Sequence, residues 1–124
     1  MAGYLHPDVL DAALQELIDN VDALHICRAA PTTYAEATST YTLGNKATPS
    51  IGAQEAGDVS GRKVTVATFS GGEVTDTNTA THVALVDTVG ERLLAAQALS
   101  SSQVVTAGNT FSLTAFDIEI PAAS

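Results

Sequence analysis

From Leu24 onward the chain is a succession of short apolar runs separated by glycine, proline and small polar residues. Val, Ile, Leu and Ala make up the runs, while Thr and Ser carry most of the polarity between them. Apolar runs of this length, bounded by turn residues, predict β-strands. A chain of 124 residues can form one such domain with a single core, and a second full domain does not fit.

One helix is predicted before the strands. Between Pro7 and Asp22 apolar residues recur at steps of three and four positions, which lines one face of an α-helix. These residues are Val9, Leu10, Ala13, Leu14, Leu17, Ile18 and Val21. Pro7 suits the first helical position because its missing amide hydrogen would be unpaired there. Asp8 and Asp11 complement the positive end of the helix dipole, so the pattern predicts an amphipathic helix over residues 7–22.

The next segments alternate between strand and loop signals. Leu24–Cys27 is predicted as the first strand because turn residues follow it closely. Thr33–Thr42 is compatible with an irregular strand or with a short helix around Ala35–Ala37. Gly44–Gly61 contains four glycines and little apolar periodicity, which predicts a long loop and a candidate docking arm.

Two hairpins are predicted in the middle of the chain. Arg62–Phe69 and Val74–Thr77 flank a Gly-Gly pair, whose tolerance of positive φ suits a tight turn, so these segments are expected to pair antiparallel. Thr81–Asp87 and Arg92–Leu99 flank a second turn. The nearly continuous apolar content of this second pair, as at Val83–Val86, predicts strands covered on both faces.

The final strand is predicted over Phe111–Ile120. Apolar and polar residues alternate along it, but the phase of the alternation changes near Ala115 and Phe116. A β-bulge would exchange the two faces in this way, so a bulge is expected there. Pro121 closes the strand, and residues 122–124 are expected to fray.

The predicted fold is therefore mainly β. We expect an N-terminal arm at residues 1–6, the helix, and a β-sandwich-like antiparallel domain over residues 23–121 that includes the loop at 44–61.

Charge excludes several classes of partner. The net charge is −9, with five Lys and Arg against fourteen Asp and Glu, so the basic stripe that neutralises phosphates is missing. We expect no direct binding to nucleic acid and repulsion from anionic lipid. No apolar stretch approaches the ~20 residues of a membrane span. Because Cys27 is the single cysteine, an intramolecular disulfide is excluded, and we expect a soluble protein in the cytoplasm where it is made.

His25 and Cys27 would project from the same face of a strand, a spacing that a metal or catalytic site could use. His82 and His6 could complete a ligand set. No ligand-pair spacing of the zinc-binding kind accompanies them, and a lone cysteine near a histidine is usually ordinary packing. The sequence therefore predicts no catalytic residue, no metal and no cofactor, and a protein that is not an enzyme.

Assembly is the favoured role. Of all residues 45% are hydrophobic, and a small domain has a high surface fraction, so some apolar area is expected to be covered by a homo-oligomer or a larger assembly. The acidic helix face would meet a basic partner surface. The candidate assembly contacts are Tyr4, His6, Asp11, Asp19, Thr48, Pro49 and Ile51.

Five segments spread over most of the chain carry a resemblance to known proteins: Leu24–Ala37, Gly61–Ala67, Ala80–Asp87, Arg92–Ala95 and Gly108–Phe111. In these segments the chain resembles a family of small virion structural proteins of tailed bacteriophages. The resemblance implies a capsid cement or decoration protein that binds the major capsid protein on the virion exterior and, by analogy, forms trimers. A tail or head–tail connector protein is the alternative. A receptor- or glycan-binding module is a further alternative, against which the absence of Trp argues.

Overall fold

A computed structural model describes residues 7–56 and 61–120, and it is mainly β with one N-terminal helix, which confirms the predicted fold class. Helix α1 is followed by nine strands and one π-helical turn. The elements are α1 Pro7–Asn20, β1 Ala23–Cys27, the π-helical turn Glu36–Thr40, β2 Thr42–Ala47, β3 Glu55–Ala56, β4 Arg62–Val66, β5 Phe69–Val74, β6 Asn78–Asp87, β7 Arg92–Val105, β8 Thr110–Leu113 and β9 Phe116–Ile120.

The strands form two antiparallel sheets. Six of them make a curled sheet in the order β7-β6-β1-β2-β5-β8, and the other three form a small sheet in the order β3-β4-β9. Leu24 and Ile26 of the large sheet and Val64 and Val66 of the small one belong to the same buried cluster. The two sheets therefore enclose one main core, which is built mostly from aliphatic side chains together with the ring of Phe111.

Helix α1 covers the core with a narrower face than its sequence predicts. Leu10, Leu14 and Leu17 are buried, whereas Val9 is 53% exposed and Ala13 is also exposed. The leucines are three and four residues apart and therefore share one stripe of the helix. Val9 and Ala13 lie beside that stripe, so including them in the predicted apolar face was wrong.

The predicted loop Gly44–Gly61 begins with a strand instead. Its first residues belong to β2, which pairs with β1 on one side and β5 on the other. A side chain on Gly44 would collide with the carbonyl oxygen of Glu73 in β5. Glycine stands here because two strands approach closely, which the sequence signal does not distinguish from a loop. Residues 57–60 of the predicted loop lie outside the described part of the chain.

The first predicted hairpin was wrong. β4 pairs with β3 and β9 in the small sheet, whereas β5 pairs with β2 and β8 in the large one. The Gly-Gly pair lies inside β5, where Gly71 has a φ of 80° at an irregularity in the pairing with β8. A side chain on Gly72 would overlap the ring of Phe111. These glycines therefore serve a bulge and a close ring contact rather than a turn.

The second predicted hairpin is confirmed, and its strands are longer than expected. β6 and β7 pair antiparallel from Asp87 and Arg92 at the turn to Asn78 and Val105 at the far end. Residues Val83–Val86 are all buried, as predicted for a strand covered on both faces. The prediction that β7 is also covered on both faces was wrong, because its apolar residues beside the turn are only half-buried. β7 is an edge strand and has a neighbouring strand on one side only in the large sheet of the described residues.

The change of phase near Ala115 marks a change of sheet. β8 pairs with β5 in the large sheet, and after two intervening residues β9 begins in the small sheet, beside β4. The amide of Ala115 donates to the Thr68 hydroxyl at 2.9 Å, in the neighbouring crossing between β4 and β5. A single bulged strand over Phe111–Ile120 was therefore wrong, because the faces exchange when the chain crosses between sheets.

Replacing Leu14 with Ala tests how much the helix contributes to the fold. Leu14 is 2% exposed within the main core, so we expect Leu14→Ala to lower the free energy of unfolding by about 2–5 kcal/mol. Val9→Ala is the matched control, with an expected change within about 0.5 kcal/mol. Urea denaturation of the two variants measures the difference, and equal losses would contradict this account of the buried face.

Candidate functional site

The acidic face of α1 divides into engaged and exposed carboxylates. Asp11 accepts from the Arg62 guanidinium at 2.7 Å, and its backbone carbonyl accepts from the Gln54 amide at 3.1 Å. Asp19 is exposed and accepts from the Gln15 amide at 2.7 Å, one turn away. Of these two candidate contacts, Asp19 is the one that presents its carboxylate to solvent. Tyr4 and His6 lie outside the described residues.

The three candidate contacts after β2 are held against the fold to different degrees. Thr48 is exposed, with a φ of 51°, and its amide donates to the Asp22 carbonyl at 2.9 Å. Pro49 is buried. Ile51 forms a bridge to Val66 and packs against the main core. This segment is therefore tied to the small sheet, and Thr48 is its exposed member.

The pair His25 and Cys27 lies on β1, with His82 of β6 opposite Cys27 in the strand register. His25 shares a hydrogen bond of 2.8 Å between its Nδ1 and the Thr42 hydroxyl. The Cys27 thiol is fully buried and donates to the Ala37 carbonyl at 3.6 Å. Within residues 7–56 and 61–120, no group of three or more His, Cys, Asp and Glu side chains could hold a metal ion.

Burial sets the protonation of both β1 side chains. It lowers the pKa of His25, because the charged imidazolium would lose its hydration. It raises the pKa of Cys27 to about 11, so the thiol is protonated at neutral pH and is a poor nucleophile. Both side chains are therefore neutral and buried on β1.

A cleft of about 420 Å³ lies between β7 and the crossing from β8 to β9, and we take it as the candidate functional site. Its lining is free of charged side chains and combines hydroxyl and amide groups with apolar ones. The lining residues are Val83, Gln97, Ala98, Leu99, Ser100, Ser101, Gln103, Leu113, Thr114, Ala115 and Phe116. The volume is within the range of ligand and peptide sites in proteins.

Sequence reasoning did not single out this cleft, although the sequence carries a signal of it. No Asp, Glu, Lys or Arg occurs from Leu93 to Phe116, so all fourteen acidic and five basic residues lie outside this stretch. The fold turns the stretch into β7, β8 and the following crossing. An uncharged segment in a strongly charged chain therefore becomes an uncharged surface.

Arg92 and Lys63 form ion pairs with carboxylates of other segments. Arg92 contacts Asp87 at 3.0 Å and Glu16 at 3.2 Å, and Lys63 contacts Asp117 at 3.1 Å. The Gly90 amide and then the Arg92 guanidinium hold the pKa of Asp87 below its usual value. These ion pairs neutralise part of the acidic charge. The remaining acidic residues outnumber the remaining basic ones, so the molecule keeps its net charge of −9.

Comparison with protein-family models, with curated proteins and with solved structures finds no match to this chain. In the described part of the chain, no helix has both the length and the apolar character needed to cross a bilayer.

Protonation of His25 gives a pH test of the core. Its pKa is lowered in the folded protein from the ordinary value of 6.5, so the unfolded chain binds a proton first as the pH falls. The contribution of His25 to stability is therefore fully present above pH 6.5 and declines below it, until the folded pKa is reached.

We expect His25→Gln to flatten this part of the pH dependence, since glutamine does not titrate. Urea denaturation at a series of pH values, run on the native protein and on the variant, measures the two slopes. Identical slopes would show that His25 does not couple folding to protonation.

Proposed function

We propose that this protein is a non-enzymatic structural protein that binds and stabilises a larger protein assembly. The observation that carries the proposal is the separation of charge: an uncharged cleft, beside an edge strand that has no charged residue from Leu93 to Val105, on a molecule whose net charge is −9. An uncharged surface can be desolvated against a partner at low cost, whereas the acidic remainder stays hydrated.

The assembly that we propose is the capsid of a tailed bacteriophage, with this protein as a cement or decoration protein on the outer shell. The resemblance of Leu24–Ala37 and Ala80–Asp87 to small phage virion proteins supports this choice. The partner is then the major capsid protein, and the homo-oligomer is a trimer by analogy with decoration proteins. The protein would reside in the host cytoplasm before assembly and on the virion exterior afterwards.

The physical benefit of such a protein comes from repetition. Many copies that bind the same lattice each favour the assembled shell over its separated capsomers. If one copy contacts two or more capsomers, the later contacts form at a high effective concentration. Contacts of modest area can therefore stabilise a shell against heat and low salt.

Co-sedimentation with mature shells stripped of this protein tests the proposal, with isolated tails as the control. We expect saturable binding to shells at a fixed number of copies per capsomer, and shells that withstand higher temperature once loaded. Binding to tails alone would favour the tail or connector alternative. Binding to neither, together with binding to a glycan array, would favour the receptor-binding alternative.

Asp19 tests whether the acidic helix face takes part in shell binding. We expect Asp19→Lys to weaken shell binding about fivefold or more at low salt, because it places a cation against a basic partner surface. Asp76→Lys is the matched control, since Asp76 is also exposed but lies between β5 and β6, away from the helix. Equal effects of both substitutions would assign the loss to net charge rather than to the helix face.

A further inference from the structure

The cleft lies where the two edges of the large sheet face the same space. β7 and β8 are the edge strands in the order of that sheet, and residues from both line the cleft. Within residues 7–56 and 61–120, each edge strand pairs on one side only in this sheet, β7 with β6 and β8 with β5. The second side of an edge strand is the surface to which another extended chain can add.

A bulge in β7 shapes one wall of the cleft. Ala98 lies opposite His82 and Gln103 lies opposite Ala80, so the residues Leu99–Ser102 between them stand against Thr81 alone. Leu99, Ser100 and Ser101 of this bulge line the cleft. Bulges commonly redirect side chains next to binding sites. Here the bulge brings two serines to the cleft wall.

The lining is suited to a neutral chain with small side chains. Gln97 and Gln103 supply amide donors and acceptors, and Thr114 supplies a hydroxyl. Leu113 and Phe116 supply apolar surface. No charged residue lies between Leu93 and Phe116, so a charged side chain of a ligand would be desolvated there without an ion-pair partner.

We propose that this cleft receives an extended, uncharged segment of a partner protein, and that the segment lies alongside β7. The identification of the partner as a protein rests on the assembly function proposed above. On either side of the bulge, Gln97, Ala98 and Gln103 keep their strand pairing with β6, so the other side of β7 at these residues offers backbone groups that an extended peptide can match. A neutral saccharide would hydrogen-bond to the hydroxyl and amide groups but would not pair with the backbone of an edge strand. Phe116 is the aromatic residue of the lining, and sugar recognition usually uses broad aromatic platforms.

Amide NMR spectra of the intact protein test the cleft without any shell. The probe is an acetylated and amidated peptide of alternating Ser and Val, compared with the same peptide carrying Glu in place of Ser and with maltose. We expect saturable shifts for the neutral peptide, confined to residues 97–103 and 113–116. The acidic peptide should bind at least about tenfold more weakly because its carboxylates are desolvated in the cleft.

A matched pair of variants controls the experiment. Ser101→Glu places a charge in the cleft and should weaken binding of the neutral peptide about tenfold or more. Ser112→Glu adds the same charge at an exposed position of β8 outside the lining and should leave that binding unchanged. Both positions are exposed, so both variants should keep the native pattern of amide signals.

Three outcomes would overturn the proposal: shifts with maltose and none with peptide, no shift with any probe, or equal effects of the two variants. The same variants applied to shell binding separate the two proposals. Peptide binding without shell binding would retain the cleft as a strand-accepting site and remove the assembly function. Shell binding that Ser101→Glu leaves intact would retain that function and remove the cleft from it.

Discussion

Strand β1 is the element on which the rest of the structure depends. It lies inside the large sheet, pairing with β2 on one side and β6 on the other, and so joins the two halves of that sheet. Leu24 and Ile26 pack into the main core, whereas Cys27 belongs to a second buried cluster that includes Ala37 of the π-helical turn. Because both faces of β1 are covered, its side chains must be neutral, which explains the altered pKa values of His25 and Cys27.

The crossing after β8 connects this core to the candidate site. The chain leaves the large sheet at Leu113 and enters the small one at Phe116. The crossing between them lies opposite the bulge of β7, on the other side of the cleft. Phe111 packs across Gly72 and meets Phe69 edge to face, with ring centroids 5.7 Å apart. Aromatic contacts of this geometry stabilise by about 0.5–1.5 kcal/mol beyond their buried area. The contact of Phe111 with Phe69 holds β8 against β5. It thereby positions residues 114–116, which follow β8 and form one wall of the cleft.

Charge is distributed in two ways that serve different purposes. Inside the fold, carboxylates join segments that are distant in sequence: Asp22 accepts from the amide and hydroxyl of Thr88, and so connects the end of α1 to the β6–β7 turn. On the outside, the excess of acidic residues gives the molecule its net charge of −9, which favours hydration of that surface. The uncharged stretch Leu93–Val105 of β7 interrupts this acidic surface, and the proposals of partner binding depend on that interruption.

The sequence by itself determined those features that depend on neighbouring residues: the span of α1 to within two residues, the strand β1 and the β6–β7 hairpin. Hydrogen bonding and side-chain periodicity within one helix or one hairpin are local, so the pattern of residues suffices to predict them. Only the tertiary structure decided which strands of distant sequence pair. The assignment of β4 and β5 to different sheets, the close approach at Gly44 and the cleft between β7 and the β8–β9 crossing all depend on long-range pairing and packing. Glycine residues and a change in the phase of apolar alternation mark such places in the sequence. The same signals fit a turn, a bulge, a close contact or a change of sheet. Residues far along the chain decide among these, because they determine which strands pair.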